Sequence, residues 1–129
     1  MTVLTEGRHP GEFLLSEANG QRSRGQVTIA AGSGVIAAGA VLGRYTSGVH
    51  AGKYCLAPGA AADPDVGNQT AVAVALYGCD ATAADRMIAV IQRDAEINGH
   101  ILSYASSVDD AAKTTAKIAE LATVGIIVR

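Results

Sequence analysis

Residues 25–43 carry no charge, and this stretch limits the fold more than any other feature of the chain. Its length approaches the ~20 apolar residues that a membrane-spanning helix requires. Glycine in a helix interior costs roughly 1 kcal/mol relative to alanine, however, and it suits turns. We therefore predict short strands joined by turns here, and no membrane span, because the stretch contains Gly25, Gly32, Gly34, Gly39 and Gly43.

The same stretch imitates a dinucleotide-binding motif. Residues 32–37, Gly-Ser-Gly-Val-Ile-Ala, match G-x-G-x-x-[GA] and follow an apolar run at residues 27–29. That chemistry needs a helix that begins at the turn, because its first amides hold the pyrophosphate. Gly39 and Gly43 oppose such a helix, and the acidic residue expected about 20 positions on arrives late, as Asp63 in a proline-containing loop. Strand, turn, strand is the better interpretation, and we expect no cofactor.

Size and composition indicate one domain that would gain buried area by self-association. The chain has 129 residues, of which 49% are hydrophobic but only 4% aromatic. Much of the apolar material is alanine, which buries little area at roughly 25 cal/mol per Å². Subunit interfaces would add buried area. The net charge of −2 argues against a nucleic-acid groove, and no basic block marks an anionic membrane surface.

The remaining pattern predicts an α+β fold that is rich in β structure. Alternating apolar and small residues, bounded by glycine, proline and asparagine, are typical of short strands. Asn98-Gly99 is a hairpin signal. The predicted strands are 27–29, 40–45, 53–56, 71–76, 87–91, 95–97, 100–102 and 126–128.

One main helix is predicted near the C-terminus, at residues 108–122. Ser107 is the expected N-cap, acidic residues follow in the first turn, and Gly125 ends the helix. Its expected packing stripe consists of small side chains, which permit close approach. The stripe is Val108, Ala111, Thr115, Ile118 and Ala122.

The first 25 residues have the pattern of an extended N-terminal arm. Pro10-Gly11 and Asn19-Gly20 are turn signals, and Phe13-Leu14-Leu15 lies between them. So short an apolar group cannot form a core of its own. It must contact the domain, a sister subunit or another protein. We therefore predict an arm over residues 1–25 and a single β-rich domain over residues 26–129.

Candidate catalytic groups are scattered. His9, His50 and His100 lack metal-ligand spacing, and no local signature marks a thiol nucleophile at Cys55 or Cys79. Lys53 follows a glycine turn, as in swinging-arm carrier domains, but lacks their usual flanking residues. Carboxylates that could form a pair are Asp80, Asp85, Asp94 and Glu96. We therefore expect that this protein is not an enzyme. The alternative is a small β-barrel carrier or a thiol-dependent enzyme.

The two cysteines leave their pairing open, since one disulfide is conceivable but two cysteines make no disulfide framework. The first ten residues lack a basic region followed by an apolar one, so we expect no signal peptide. Reduced thiols in a cytoplasm are then the default expectation.

The arm also resembles the opening of a known family, the tailed-phage head decoration proteins of the lambda D type. The likeness lies in residues 9–20, His-Pro-Gly-Glu-Phe-Leu-Leu-Ser-Glu-Ala-Asn-Gly, followed by Ser23-Arg24. It continues over most of the chain, in residues 26–28, 40–43, 52–54, 93–98 and 125–129. The arm is the most specific part of the resemblance.

This resemblance implies a small β-barrel-like subunit of the β-tulip type that forms homotrimers. Such trimers bind the outer surface of the expanded phage head at three-fold and quasi-three-fold positions and brace it against packaged DNA. The implied partner is the major capsid protein, the implied location is the virion, and synthesis takes place in the host cytoplasm. The implied capsid-binding residues are His9, Pro10, Gly11, Glu12, Phe13, Leu14 and Leu15.

In an extended strand, Phe13 and Leu15 would point the same way and anchor the arm, with Leu14 on the other face. The competing interpretation is that these three residues only cover the base of the trimer itself. A fibre or tail structural module is a further alternative with the same composition.

Overall fold

The computed structural model describes residues 1–129 and contains ten strands, one α-helix and one short 3₁₀ helix. The strands are β1 Leu14–Glu17, β2 Arg24–Ile29, β3 Gly34–Ile36, β4 Val41–Arg44, β5 Tyr54–Leu56, β6 Ala71–Ala75, β7 Cys79–Ala81, β8 Arg86–Ile91, β9 Ala95–Ile97 and β10 Ile126–Val128. The helix α1 spans Ala111–Thr123, and the 3₁₀ turn spans Gly99–Ile101. The predicted β-rich α+β class is confirmed.

Five strands close into a barrel in the order β2-β5-β4-β6-β8. The barrel interior is narrow, and small barrels are filled by side chains alone. Alanine supplies part of that filling, since Ala73 and Ala75 of β6 are fully buried in a core cluster that also contains Ala40 and Ala81 from adjoining segments. The alanine-rich composition is therefore a packing solution for a barrel of five short strands.

Strand β6 lies between two cores. Its Ala73 and Ala75 face the barrel interior, whereas Val74 belongs to a second cluster with Ile91 and Leu121. The sequence alternation predicts a strand buried on one face. In the structure both faces are buried. The alanine face lies inside the barrel, and the face with Val74 lies in the second cluster.

Two smaller sheets complete the fold. Strands β3 and β7 form an antiparallel ribbon, so the glycine motif at residues 32–37 is a turn followed by a strand, as predicted. The other sheet has the order β1-β9-β10, with β1 antiparallel and β10 parallel to β9. Strands from opposite ends of the sequence therefore flank one central strand. The second core lies between this sheet, the barrel and α1.

The predicted hairpin at Asn98-Gly99 is wrong. Asn98 caps the short 3₁₀ turn, its Oδ1 accepting the backbone N–H of His100 at 3.0 Å. Strand β9 pairs instead with β1 and β10, which are distant in sequence. The long-range pairing of β9 therefore outweighs the local turn signal, and it buries Ile97 completely.

The start of α1 also differs from the expectation. Asp110 is the N-cap, and its Oδ1 accepts the N–H of Lys113 at 2.8 Å. Ser107 instead accepts the N–H of Gly59 at 2.9 Å and ties down the long loop before β6. Gly125 follows the helix with φ +84°, a conformation that favours glycine and ends the helix, as predicted.

The predicted packing stripe of α1 is wrong, because Ala111, Thr115 and Ala122 are exposed. The buried side chains are Lys117 and Leu121. Lysine is tolerated there because its ammonium donates to the Gln69 carbonyl and lies 3.2 Å from Glu120 Oε2. A hydrophobic pattern cannot reveal a buried cation when one of its partners, here the Gln69 carbonyl, lies in another segment.

Candidate functional site

The N-terminal segment, residues 1–10, is exposed throughout and lies in no helix or strand. Its apolar side chains contact little of the subunit, since Val3 is 80% and Leu4 is 90% exposed. Its charges are satisfied locally. His9 Nε2 lies 2.9 Å from Glu6 Oε1, and Arg8 Nη1 lies 3.5 Å from Glu12 Oε1. The segment presents apolar side chains to its surroundings with little net charge.

The segment joins the subunit at Gly11, whose N–H donates to the carbonyl of Leu76 at 3.2 Å. A tight turn follows, closed by the Leu14 N–H on the Gly11 carbonyl at 3.0 Å. Gly11 has φ +72°, which glycine adopts without strain. Beyond this turn the chain becomes an integral part of the fold.

Phe13 lies inside the second core and is 1% exposed. Its carbonyl accepts the N–H of Asn98 at 2.8 Å, which fixes the entry into β1. The ring packs over Gly39, where a side chain would approach Phe13 Cδ1 to 3.5 Å and the Ile101 carbonyl to 3.2 Å. Phe13 is the first residue along the sequence that the core holds.

The two expected anchors do not point the same way. Leu15 is 55% exposed, Leu14 is half-buried and pairs with Ile97, and Phe13 is buried. The reason is the turn at residues 11–14, together with an irregular register between Leu14 and Ser16, which breaks simple alternation before β1 is established. Of the three apolar residues, Leu15 alone is directed mainly to solvent.

A hydrogen-bonded clasp, formed by Glu17, Ser23 and Arg24, fixes the C-terminal end of β1. Arg24 donates from Nε and Nη2 to Glu17 at 3.0 and 2.6 Å, and Ser23 Oγ donates to Glu17 Oε2 at 2.5 Å. These hydrogen bonds, with that of Arg24 first, lower the pKa of the Glu17 carboxyl. The clasp closes the turn between β1 and β2, so residues 13–25 are ordered by the domain itself.

Among the candidate catalytic groups, Lys53 and Asp85 are paired with each other, and the other carboxylates have separate partners. No three His, Cys, Asp or Glu side chains are gathered as metal ligands. The carboxylates are engaged separately: Asp80 with Thr82, Asp94 with Arg22, and Glu96 with Arg129. Asp85 is paired with Lys53 at 2.7 Å.

The thiols show no sign of activation. Both cysteines are free, and Cys55 is buried, accepting a hydrogen bond from Asn68 Nδ2 at 3.3 Å. Burial raises the pKa of the Cys79 thiol, which lowers the fraction of reactive thiolate near neutral pH. Lys53, the candidate carrier residue, is held in its ion pair with Asp85. No helix of the structure has the length and apolar character to cross a membrane.

Fold and site together define a small β-barrel protein with an exposed N-terminal segment. The family model of the bacteriophage lambda head decoration protein D matches residues 3–126, and the chain belongs to that family. The resemblance stated from the sequence is thereby confirmed. No curated protein matches the chain significantly. The family is structural, so membership assigns this chain a role in phage capsid decoration and a place in the virion.

Proposed function

We propose that this protein binds as a homotrimer to the outer surface of the expanded phage head. The proposed positions are the three-fold and quasi-three-fold sites, where the trimers brace the shell against the pressure of packaged DNA. The proposed partner is the major capsid protein, contacted through the N-terminal segment. Membership of the head decoration family supports this role.

The exposure of the N-terminal segment is the observation that carries the proposal. Val3 and Leu4 are apolar and almost fully accessible, and burial of such side chains on a partner is favourable. An extended segment can add to the edge of a partner sheet, where backbone hydrogen bonds give affinity and side-chain pockets give specificity. Three segments on one trimer would act together through their effective concentration.

The proposed capsid-binding residues divide into two roles. Residues 1–10 and the exposed Leu15 are free to contact the capsid. Gly11 and Phe13 fix the segment to the subunit through the Leu76 carbonyl and the second core. A pull on the segment would therefore be transmitted to the core through Phe13.

Trimer formation has its own candidates among the exposed apolar side chains of the barrel region. Val35 is 72%, Met87 65% and Tyr77 49% exposed. Burying them between subunits would add apolar area to a domain whose own core is built largely from alanine.

A truncation that removes residues 1–10 tests the proposal, because it stops before Gly11 and leaves Phe13 in the core. We expect the truncated protein to fold, to keep the oligomeric state of the full chain, and to lose binding to expanded, undecorated heads. Binding is measured by cosedimentation, and oligomeric state by light scattering.

Electron cryomicroscopy of the same heads with the full chain locates the bound protein. Density at the three-fold positions is the expected result. Absence of density there contradicts the proposed binding site. A truncated protein that binds as well as the full chain contradicts the role of the N-terminal segment.

A further inference from the structure

The barrel is closed by an unusually short contact between β2 and β5. Strand β2 pairs with β8 along its whole length, from Arg24 opposite Ile91 to Ile29 opposite Arg86. With β5 it shares a single parallel register pair, Ile29 opposite Tyr54. The Ala30 N–H donates to the Tyr54 carbonyl at 2.9 Å and completes this contact. We call it the β2–β5 seam.

Asp85 connects the strand ends that meet at the seam. Its Oδ1 accepts the N–H of Ala31, just after β2, at 2.8 Å. Its Oδ2 lies 2.7 Å from Nζ of Lys53, just before β5. Asp85 itself immediately precedes β8. One carboxylate therefore ties three strand ends together beside the shortest contact of the barrel.

The residues at the β2–β5 seam are largely buried. Ile29 is fully buried and Ala30 is 1% exposed, and the half-buried Tyr54 packs against the barrel core behind them. The ion pair that guards the seam is itself accessible, because the side chains of Lys53 and Asp85 are 33% and 41% exposed. Solvent can therefore reach the ion pair between Lys53 and Asp85 while the core stays intact.

We propose that Asp85, together with Lys53 and the Ala31 amide, is a latch that holds the β2–β5 seam closed. When the latch is removed, the seam opens locally while the β2–β8 ladder stays intact. This follows from the difference in pairing, because opening the seam breaks one backbone contact, whereas separating β2 from β8 breaks a six-residue ladder. Arg86, the next residue along the chain, is engaged elsewhere, because its Nε donates to the Asp80 carbonyl at 3.1 Å.

Hydrogen exchange of the full-length protein at neutral pH tests the latch. In Asp85→Ala, which removes both interactions, we expect the Ala30 and Ala31 amides to exchange about tenfold faster. Lys53→Met removes the ion pair but keeps the carboxylate that accepts the Ala31 N–H. We expect a smaller acceleration at the same two amides. Amides of the β2–β8 ladder and of α1 should keep their wild-type rates.

Asp109→Ala is the matched control, because it removes an equally short ion pair, with Lys113 at 2.7 Å, far from the seam. It should leave Ala30 and Ala31 unchanged. Because the Ala31 amide loses its own acceptor in Asp85→Ala, the Ala30 amide is the diagnostic one, and wild-type exchange at Ala30 would overturn the proposal. If Asp85→Ala unfolds, Lys53→Met decides the question. Uniform acceleration across all strands in that variant would show that the seam has no opening of its own.

Discussion

Phe13 and Leu15 are separated by one residue and have opposite environments. Phe13 is 1% exposed and Leu15 is 55% exposed. The sequence marks both as apolar residues between turn signals, and nothing local distinguishes them. The distinction comes from Gly39, Leu76 and Asn98, which are distant in sequence and form the pocket and hydrogen bonds around Phe13.

Substitution of these two residues by alanine should therefore have unequal effects on stability. Phe13→Ala leaves a cavity in the second core and should lower the free energy of unfolding by about 3–5 kcal/mol. Leu15→Ala should change it by less than about 0.5 kcal/mol, as is usual for exposed positions. Urea titration followed by circular dichroism measures both. Equal losses would mean that Phe13 is not a core residue in solution.

The limits of prediction at this scale are visible in Lys117. Lys117 lies outside the predicted packing stripe of α1, and its burial depends on the Gln69 carbonyl and on Glu120. Sequence periodicity reports the polarity of side chains but not the location of their partners. By contrast, Gly125 was predictable as the end of α1, because its conformational freedom is a local property.

At the scale of elements, the start of α1 illustrates the same difference. Ser107 and Asp110 are both good N-cap residues, and both hydrogen-bond a backbone N–H. Asp110 bonds within the helix, to Lys113, whereas Ser107 bonds to Gly59 in the loop before β6. The choice between them depends on where that loop lies, which local sequence does not determine.

Alanine at each position separates the two roles. Asp110→Ala should cost about 1 kcal/mol of stability and speed hydrogen exchange in the first turn of α1. Ser107→Ala should leave the helix amides unchanged and speed exchange at Gly59 instead. Exchange measured by NMR distinguishes the two patterns. A faster first helical turn in Ser107→Ala would assign the cap to Ser107 after all.

Glu120 joins α1 to the barrel. Its Oε2 accepts the Ala71 N–H at 2.7 Å and lies 3.2 Å from Lys117 Nζ. Glu120→Ala leaves a buried ammonium with one partner fewer and an unpaired amide, and should cost about 2 kcal/mol. Asp109→Ala, which breaks an exposed pair at the start of the same helix, should have a much smaller effect. Thermal unfolding of both variants checks the contrast. Equal effects would mean that the Glu120 contacts contribute no more than an exposed ion pair.

At the scale of the whole molecule, the class and most strands could be predicted, but the arrangement of strands could not. Turn signals and alternation identify β2, β4, β5, β6 and β8, the five strands of the barrel. Strands β1 and β7 were missed because each is short and pairs with a partner far away in sequence. The accessible segment was predictable as residues without a core, but its boundary near residue 10 depends on the contact between Gly11 and Leu76.

The whole molecule should lose stability in acid. Hydrogen bonds from Arg24, Lys53 and Arg129 lower the pKa values of three carboxyls, those of Glu17, Asp85 and Glu96. A carboxyl whose pKa is lower in the folded state stabilises the fold at higher pH, and this contribution is lost as pH falls through the folded pKa. We expect a constant free energy of unfolding above about pH 5 and a decline below about pH 4.

Urea titrations between pH 7 and pH 2 measure this decline. Glu17→Gln should reduce the decline, because the variant has already lost one of the charged acceptors in the neutral range. A wild-type free energy of unfolding that stays constant to pH 2 would contradict the assignment of these ion pairs to the folded state.

Strand β9 has a further consequence for how the chain is made. Its neighbours β1 and β10 come from opposite ends of the domain, so the sheet is complete only when Ile126–Val128 has been synthesised. Contacts between such distant segments form slowly, because the loop between them must close first. During translation the nascent chain can pair β1 with β9 but lacks the third strand. The strand that completes the sheet next to the N-terminal segment is therefore synthesised long after β1.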